Sequence, residues 1–317
     1  MHNSLLSHRF LFVVGKGGVG KTTVAAALAL AASLRGKKAL LAMCNAKERA
    51  SVLLGVPPIG PRNTTILPGL DAVNMVPRYA LEEYGTMVLR SRALYRALFE
   101  NPLASAFLRG TPGLEAWSML GKAYYHVKET TADKKHRYDI VIVDAPATGH
   151  GLEMLRVPHV IVDVAPPGLL RREAEHALFI FHDPAQSGVV VVTLLEEMPV
   201  QETQELIEML QGELRLPIKG IVANQVLQPL FHPSELELFG QLSTKLPRNS
   251  PLFPLLEASR YRASREAIQR KSLEQLRRFC PAPLILLPFI FTHPFGRKEL
   301  AFLGDILARP LNSSHGA

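Results

Sequence analysis

The segment GKGGVGKTT, residues 15–23, constrains the fold of this chain more than any other feature. It follows the apolar run Phe10–Val14, a predicted strand, and precedes the alanine-rich run Ala25–Leu34, a predicted helix. The pattern GxxxxGK[ST] between a strand and a helix is typical of a phosphate-binding loop, or P-loop. The segment therefore predicts a nucleotide site at the end of a strand in a parallel α/β sheet.

The residue types of the loop predict its chemistry. Glycines allow a tight turn in which backbone N–H groups converge on an anion, and the N-terminus of the following helix adds its dipole. We predict that the Lys21 ammonium bridges the β- and γ-phosphates of ATP and that the Thr22 hydroxyl binds Mg²⁺. Lys16 is a second lysine, which marks the deviant Walker A form of the loop. The residues predicted to bind ATP here are Gly15, Gly17, Gly18, Val19, Gly20, Lys21, Thr22 and Thr23.

A second motif, VDAPATGHG, supplies a carboxylate. Asp144 ends the apolar run Ile140–Asp144, where a Walker B carboxylate sits to hold the Mg²⁺ shell. We therefore predict a magnesium site formed by Thr22 and Asp144. The turn Pro146–Gly149 is placed to respond to the γ-phosphate. His150 is either a sensor of that phosphate or a helix-capping or core histidine.

Apolar runs alternate with helical patterns along the chain, which predicts βαβ units. Several runs are apolar at consecutive positions, as in parallel strands covered on both faces. The predicted fold is a doubly wound, mostly parallel α/β sheet of the P-loop NTPase type, in a single domain over residues 1–317 with a helical insertion at about 79–137. The predicted strands are Phe10–Val14, Ala39–Met43, Asp71–Val76, Ile140–Asp144, Val160–Val164, Val189–Leu194, Ile218–Asn224 and Leu284–Pro288. The predicted helices are Ala25–Leu34, Leu81–Phe99, Leu114–Thr130 and Thr203–Leu214.

Composition limits the class of protein. The net charge of +8 suits phosphate, nucleic-acid or membrane partners alike. The basic stretch Arg260–Arg278 has few aromatic residues and is interpreted as a solvated helix face, which argues against nucleic-acid binding. The two cysteines, Cys44 and Cys280, form no CxxC or Cys/His cluster, so no zinc site is predicted. Since no signal peptide and no apolar run of roughly 20 residues is seen, we expect a cytoplasmic protein without a transmembrane segment.

Three segments in order, GKGGVGKTT, DAPATGH and VTLLEEMPVQET, resemble the arsenical-pump ATPase (ArsA-like) family, which includes the eukaryotic targeting ATPase for tail-anchored membrane proteins. The similarity spans about Phe10 to Leu307. It implies a homodimer, or a pairing with a paralogous subunit, that closes around two ATP molecules and acts on a client. Lys16 matches the family's signature lysine, which reaches the partner's phosphates and stabilises transferred charge as Lys21 does. Asn224 matches the family's adenine-reading asparagine, although its position also fits a strand-end turn residue.

The chain departs from this family at the switch I loop. The family carries Asp-Pro-Ala just after the second strand, and its aspartate positions the attacking water. The corresponding residues here are Cys44-Asn45-Ala46-Lys47-Glu48, with Cys44 at the carboxylate position. A neutral thiol does not polarise water in the same way, and losing such a group costs about 10²–10⁴ in rate. We expect ATP binding with slow hydrolysis, unless Glu48 substitutes for the missing carboxylate.

Two further departures concern the dimer and the client. The zinc-binding CxxC of the targeting ATPase dimer is missing. Either nucleotide contacts, including Lys16, hold the dimer together, or a separate paralogue serves as the partner. The segment Leu152–Asp183 is shorter than the Met-rich insertion that forms the client groove in the targeting ATPase. The two isolated cysteines do not supply three thiolates to a metalloid. The resemblance therefore leaves the client unknown.

These features favour an ATP-hydrolysing dimeric switch that couples nucleotide-driven closure to a client or partner. One alternative, favoured by Cys44, is a non-catalytic or very slow ATP-binding scaffold that works with a catalytic paralogue. The other is a spatial-positioning ATPase that binds a membrane or DNA surface. Against the latter, the tail Gly296–Ala317 shows no clear basic amphipathic face.

Overall fold

The computed structural model describes residues 4–44, 47–100, 113–146 and 148–311. Its strands are β1 (Phe10–Gly15), β2 (Ala39–Cys44), β3 (Thr64–Leu67), β4 (Leu70–Met75), β5 (Ile140–Asp144), β6 (Ser187–Leu194), β7 (Ile218–Val226) and β8 (Leu284–Pro288). In the described residues they form an 8-stranded sheet in the order β3-β4-β2-β5-β1-β6-β7-β8.

The sheet is parallel except at one edge, where β3 and β4 form an antiparallel hairpin. β1 lies at the centre, with β5 on one side and β6 on the other, and the chain winds outwards in both directions from it. The predicted doubly wound, mostly parallel α/β fold is confirmed. In such sheets ligands bind at the carboxyl ends of the strands where the winding direction changes, which here is the end of β1.

The helices are α1 (Lys21–Leu34), α2 (Ala50–Leu54), α3 (Pro77–Leu89), α4 (Arg92–Glu100), α5 (Leu114–Lys128), α6 (Thr148–Val164), α7 (Leu169–His182), α8 (Glu197–Glu208), α9 (Pro233–Lys245), α10 (Phe253–Phe279) and α11 (Arg297–Leu307). A π-helical turn at Met209–Glu213 extends α8. Among the helices that the structure describes, none is both long enough and apolar enough to cross a membrane.

The side chains of β1 alternate between two buried layers. Phe10 and Phe12 point into one layer, where their ring centroids lie 5.2 and 5.1 Å from that of Phe181 on α7. Leu11 and Val13 point into the other layer, against α1 and α11. Complete burial of side chains this large stabilises the fold by about 1.5–3 kcal/mol each. The strand that leads into the P-loop is therefore fixed from both faces.

The predicted strand Val160–Val164 is wrong, because this run forms the last part of α6. The buried residues Met154, Val157 and Ile161 recur every three or four positions, and the valines at both ends of the run are exposed. That spacing places them on one face of a helix. A short run of apolar, β-branched residues looks the same in a strand and in a buried helix, so its pattern did not separate the two.

Other strands also differ from the prediction: the bounds of β1, β4, β6 and β7 lie one or two residues from those expected, and β2 and β3 differ as follows. β3 was not predicted, because Thr64–Leu67 is short and its side chains are only partly buried or exposed. β2 runs to Cys44, one residue beyond the predicted end at Met43. This extra residue matters for the site, because it places Cys44 within β2 and not after it.

The predicted helical insertion contains α3, α4 and α5 in its described part. The expected single helix Leu81–Phe99 is broken at Arg90, which adopts a left-handed conformation with φ 53°. α5 is the buried member of the group, since Trp117 and Tyr124 are almost completely enclosed. Tyr84 on α3 packs edge-on against Trp117, with ring centroids 5.9 Å apart. α3 and α5 form part of the same buried layer as Phe10 and Phe12 of the sheet.

Candidate nucleotide-binding site

The P-loop leaves the carboxyl end of β1 at the centre of the sheet. Gly15 has φ 149°, and a Cβ atom there would collide with the carbonyl oxygen of Val192 on β6. Gly20 has φ 94°, and a Cβ atom there would collide with the side-chain amide of Asn224 on β7. Two neighbouring strands therefore approach the loop so closely that only glycine fits at these positions.

α1 begins at Lys21, directly after the loop. Its N-cap residue Gly20 has no side chain to bond the N–H groups of the first turn, and no acidic residue lies in that turn. The residues Val24–Ala32 are buried, which holds the helix against the sheet. Unpaired N–H groups and the positive end of the helix dipole make this an anion-binding position.

Both predicted catalytic lysines lie at the loop, and each has a partner within the chain. Lys21 Nζ donates a 2.9 Å hydrogen bond to the carbonyl oxygen of Lys16. Burial lowers the pKa of Lys21, and Asp144 opposes that shift. Lys16 Nζ forms an ion pair with Glu202 on α8, and the Lys16 side chain is half exposed. Lys16 is thus the more exposed of the two lysines.

Thr22 and Asp144, the predicted magnesium ligands, are in contact. The Thr22 hydroxyl donates a 2.6 Å hydrogen bond to Asp144 Oδ2. The other carboxylate oxygen, Oδ1, is buried and accepts no hydrogen bond from any residue in the described ranges. Burial raises the pKa of Asp144 to about 6, against the opposing effects of Thr22 and Lys21. A hydroxyl beside a carboxylate with an unpaired oxygen fits the hard oxygen ligands that Mg²⁺ takes.

Cys44 is a core residue at the end of β2. Its thiol is buried, and both burial and the nearby Asp144 raise its pKa, so it stays neutral. Because β2 includes Cys44, the first residue after the strand is Asn45, and Asn45 and Ala46 lie outside the described residues. The position just after the strand therefore carries an amide, and the sequence still supplies no carboxylate there.

The Glu48 carboxylate, the candidate replacement for the missing switch I carboxylate, is hydrogen-bonded to the first turn of α2. Its two oxygens accept hydrogen bonds from the Ser51 backbone N–H at 2.7 Å and from the Ser51 hydroxyl at 2.6 Å. These bonds satisfy donors of the first helical turn, as a capping group does. In this arrangement Glu48 is a structural residue of α2.

Asn224 is buried beside the P-loop. Its Nδ2 donates a 2.9 Å hydrogen bond to the Val19 carbonyl oxygen, and its Oδ1 accepts one of 2.9 Å from the Gln225 N–H. Both ends of the amide are thus paired within the chain. The structure brings Asn224 to the loop, in an arrangement that braces the loop against β7.

Two adjoining cavities open next to these residues. The first, the loop cleft, has a volume of about 510 Å³. The second, the side pocket, has a volume of about 320 Å³ and includes Pro288, Phe289 and Asn224 in its wall. Thr23 and Leu53 line both, so the two cavities are neighbours. The residues that line the loop cleft are Gly18, Gly20, Lys21, Thr22, Thr23, Arg49, Val52 and Leu53.

Several residues at the site were not predicted from sequence. Arg49 lines the loop cleft, Phe289 lines the side pocket, and Glu202 pairs with Lys16. Phe289 had one available signal, because it directly follows a parallel strand at the edge where ligands bind. His150 was predicted as a sensor or a structural residue, and its side chain lies outside the described part of the chain.

The chain is similar to known ATPases. The anion-transporting ATPase (ArsA-type) family matches residues 8–165, which include the P-loop and Asp144. The chain is 32% identical to ATPase BagA of Mycobacterium tuberculosis over 233 residues, which cover 72% of this chain and 68% of the relative. It is 26% identical to ATPase GET3 of Kluyveromyces lactis over 263 residues, or 71% of this chain and 75% of the relative. It is also 26% identical to the arsenical pump-driving ATPase of Acidiphilium multivorum over 234 residues, or 69% of this chain and 39% of the relative. The chain therefore belongs to the ArsA-like family of ATPases.

Proposed function

We propose that this chain binds ATP with Mg²⁺ and hydrolyses it slowly as a nucleotide-driven dimeric switch. The observation that carries the proposal is the contact between Thr22 and Asp144, which leaves one buried carboxylate oxygen without a donor in the described residues. Thr22 lines the loop cleft beside a P-loop whose glycines and helix N-terminus favour an anion, and Asp144 is bonded to it.

The phosphates of ATP would occupy the loop cleft, with adenine in the side pocket. Lys21 would exchange the Lys16 carbonyl for the phosphates, and a bond to an anion is roughly twice as strong as one to a neutral acceptor. Thr22 and Asp144 would hold Mg²⁺, which neutralises phosphate charge when bound. Asn224 would either read the adenine edge after releasing its present partners, or keep bracing the loop while the base packs on Phe289.

Lys16 supports a dimer as the active form. Its side chain is half exposed at the edge of the loop, and Glu202 holds it within the same chain. We propose that closure transfers Lys16 from Glu202 to the phosphates bound by the second subunit, where its charge stabilises the transition state. The second subunit is either an identical chain or a paralogue.

Slow hydrolysis follows from the residues after β2. Cys44, which the resemblance places at the carboxylate position, is neutral and buried, and Glu48 caps α2. Asn45, which follows β2 in the sequence, carries an amide and no carboxylate. The same residues favour one rival, a scaffold that binds ATP but depends on a catalytic paralogue for turnover.

The coupling to a client would run through the helices α3 and α5, which share a buried layer with the strands that carry the site. A shift at the loop would reach them through packed side chains, because such layers do not deform freely. We expect the protein to act in the cytoplasm, where ATP and Mg²⁺ are both available.

Steady-state ATPase assays of the purified chain, with and without Mg²⁺, test this proposal. We expect Mg²⁺-dependent turnover that Lys21→Ala reduces by at least about 10²-fold, as loss of a charge-stabilising group does. Turnover that appears only after a paralogue is added would favour the scaffold. A wild-type chain that binds no ATP in a direct binding measurement would contradict the proposal.

A further inference from the structure

The loop cleft contains a cationic side chain that no motif predicts. Arg49 lines it from the segment between β2 and α2, and Lys21 lines it from the P-loop. Arg49 is exposed, and no residue of the described ranges forms a hydrogen bond or ion pair with its guanidinium. An arginine that faces a cleft without a partner is available to an anionic ligand.

The backbone that carries Arg49 is held at a defined position. Before α2, the Glu48 carboxylate bonds the N–H and hydroxyl of Ser51. After α2, Arg297 donates bonds of 2.7 and 3.2 Å to the carbonyl oxygens of Leu54 and Gly55. The Glu48 bonds cap the first turn of this short helix, and the Arg297 bonds tie its last turn to α11. Arg49, immediately before its first residue, is presented to the cleft by a fixed element rather than by a free loop.

The charge balance of the segment favours a phosphate ligand. The carboxylate of Glu48 is turned to α2, so the side chain that this segment adds to the cleft wall is a cation. A guanidinium is planar and always charged, and its paired N–H donors match two oxygens of one phosphate. A cleft with two cations at its wall suits a polyphosphate.

We propose that Arg49 binds the phosphates of ATP from within the same chain and so adds a second cis cation to Lys21. This inference rests on the proposed binding of ATP in the loop cleft. The segment after β2 then neutralises phosphate charge through Arg49, as an arginine finger does in other phosphoryl-transfer sites. In the described residues, this segment supplies no carboxylate that activates water.

The matched variants Arg49→Met and Lys47→Met test the role of Arg49. Both replace an exposed cation of the same segment by an uncharged chain of similar length, and Lys47 does not line the cleft in the described structure. Thermal unfolding without nucleotide shows whether each variant folds as the wild type does. Isothermal titration calorimetry then gives the Kd of each for ATP in Mg²⁺.

We expect Arg49→Met to raise the Kd for ATP about tenfold, because a hydrogen-bonded charge is lost, and Lys47→Met to change it less than twofold. An Arg49→Met variant that binds ATP within threefold of the wild type would overturn this inference. An equal loss in both variants would also overturn it, because only the general charge of the segment would then matter. A wild type that binds no ATP would instead contradict the proposed function.

Discussion

Thr22 and Asp144, which are 122 residues apart in the chain, are joined by a 2.6 Å hydrogen bond. Thr22 lies in the first turn of α1, and Asp144 ends β5, which pairs with β1 through Val13. The central strand pairing therefore brings together the hydroxyl and the carboxylate of the proposed magnesium site. One oxygen of Asp144 is buried without a donor in the described residues, so that oxygen can serve as a ligand to Mg²⁺.

Asp144→Asn tests the catalytic role of this carboxylate, because it keeps the shape of the side chain and removes its charge. We expect kcat to fall by at least about 10²-fold, since the group that holds Mg²⁺ against the phosphates is lost. The measurement is steady-state ATPase over a range of Mg²⁺ concentrations. Asp305→Asn is the control, because Asp305 is exposed on α11 and pairs with Arg35. A variant at Asp144 with more than a tenth of wild-type activity would contradict this role.

The free energy of unfolding without nucleotide should depend on pH through the Asp144 carboxyl group. Burial raises the pKa of Asp144 to about 6 from 3.8, so the folded chain holds this proton more tightly than the unfolded chain. The stability it contributes is complete below about pH 4 and is lost as the pH rises through about 6. At pH 7 we expect the free energy of unfolding of Asp144→Asn to exceed that of the wild type by about 1–3 kcal/mol.

Urea unfolding of both proteins from pH 4 to pH 7 measures this difference. The difference in the free energy of unfolding between the two proteins should shrink as the pH falls, because wild-type Asp144 becomes protonated and no longer buries a charge. A variant that is less stable than the wild type at pH 7 would show that the ionised carboxylate stabilises the nucleotide-free fold.

The ion pair between Lys16 and Glu202 should oppose dimer formation. Glu202→Gln releases Lys16, and a partly exposed pair contributes about 0–1 kcal/mol. Because both subunits release this pair, we expect half-maximal dimerisation at up to about 30-fold lower protein concentration. Lys16→Ala should abolish the ATP-dependent dimer. Sedimentation velocity with ATP and Mg²⁺ measures both effects. Weaker dimerisation of Glu202→Gln would mean that Glu202 supports the closed state instead.

Asn45→Asp should accelerate hydrolysis, because it supplies a carboxylate at the residue that follows β2 in the sequence. We expect kcat to rise about tenfold or more, in line with the effect of a positioned acid–base group. Cys44→Asp is the contrasting variant. It buries a charge among apolar residues, and we expect it to destabilise the fold by several kcal/mol. Unchanged turnover in Asn45→Asp would show that the lack of a carboxylate at this residue does not limit the rate of hydrolysis.

Much of the fold could be predicted because its central strands are apolar at consecutive positions, as in β1, β5 and β6. The pattern failed where burial was partial, as in β3, and where a β-branched run ended a helix, as in α6. The loop glycines and Asp144 were recognisable because their chemistry depends on local spacing. Glu202 was not, because it meets Lys16 across 186 residues of chain. Arg49 was also missed, because only the placement of α2 brings it to the cleft.

Light scattering of the wild-type chain with saturating ATP and Mg²⁺, compared with ADP and Mg²⁺, tests the central claim most directly. The account predicts the mass of one chain, 34.9 kDa, in ADP and a doubling of that mass in ATP. A mass that stays at one chain in ATP, in a sample shown to have bound the nucleotide, would contradict the dimeric switch of identical subunits.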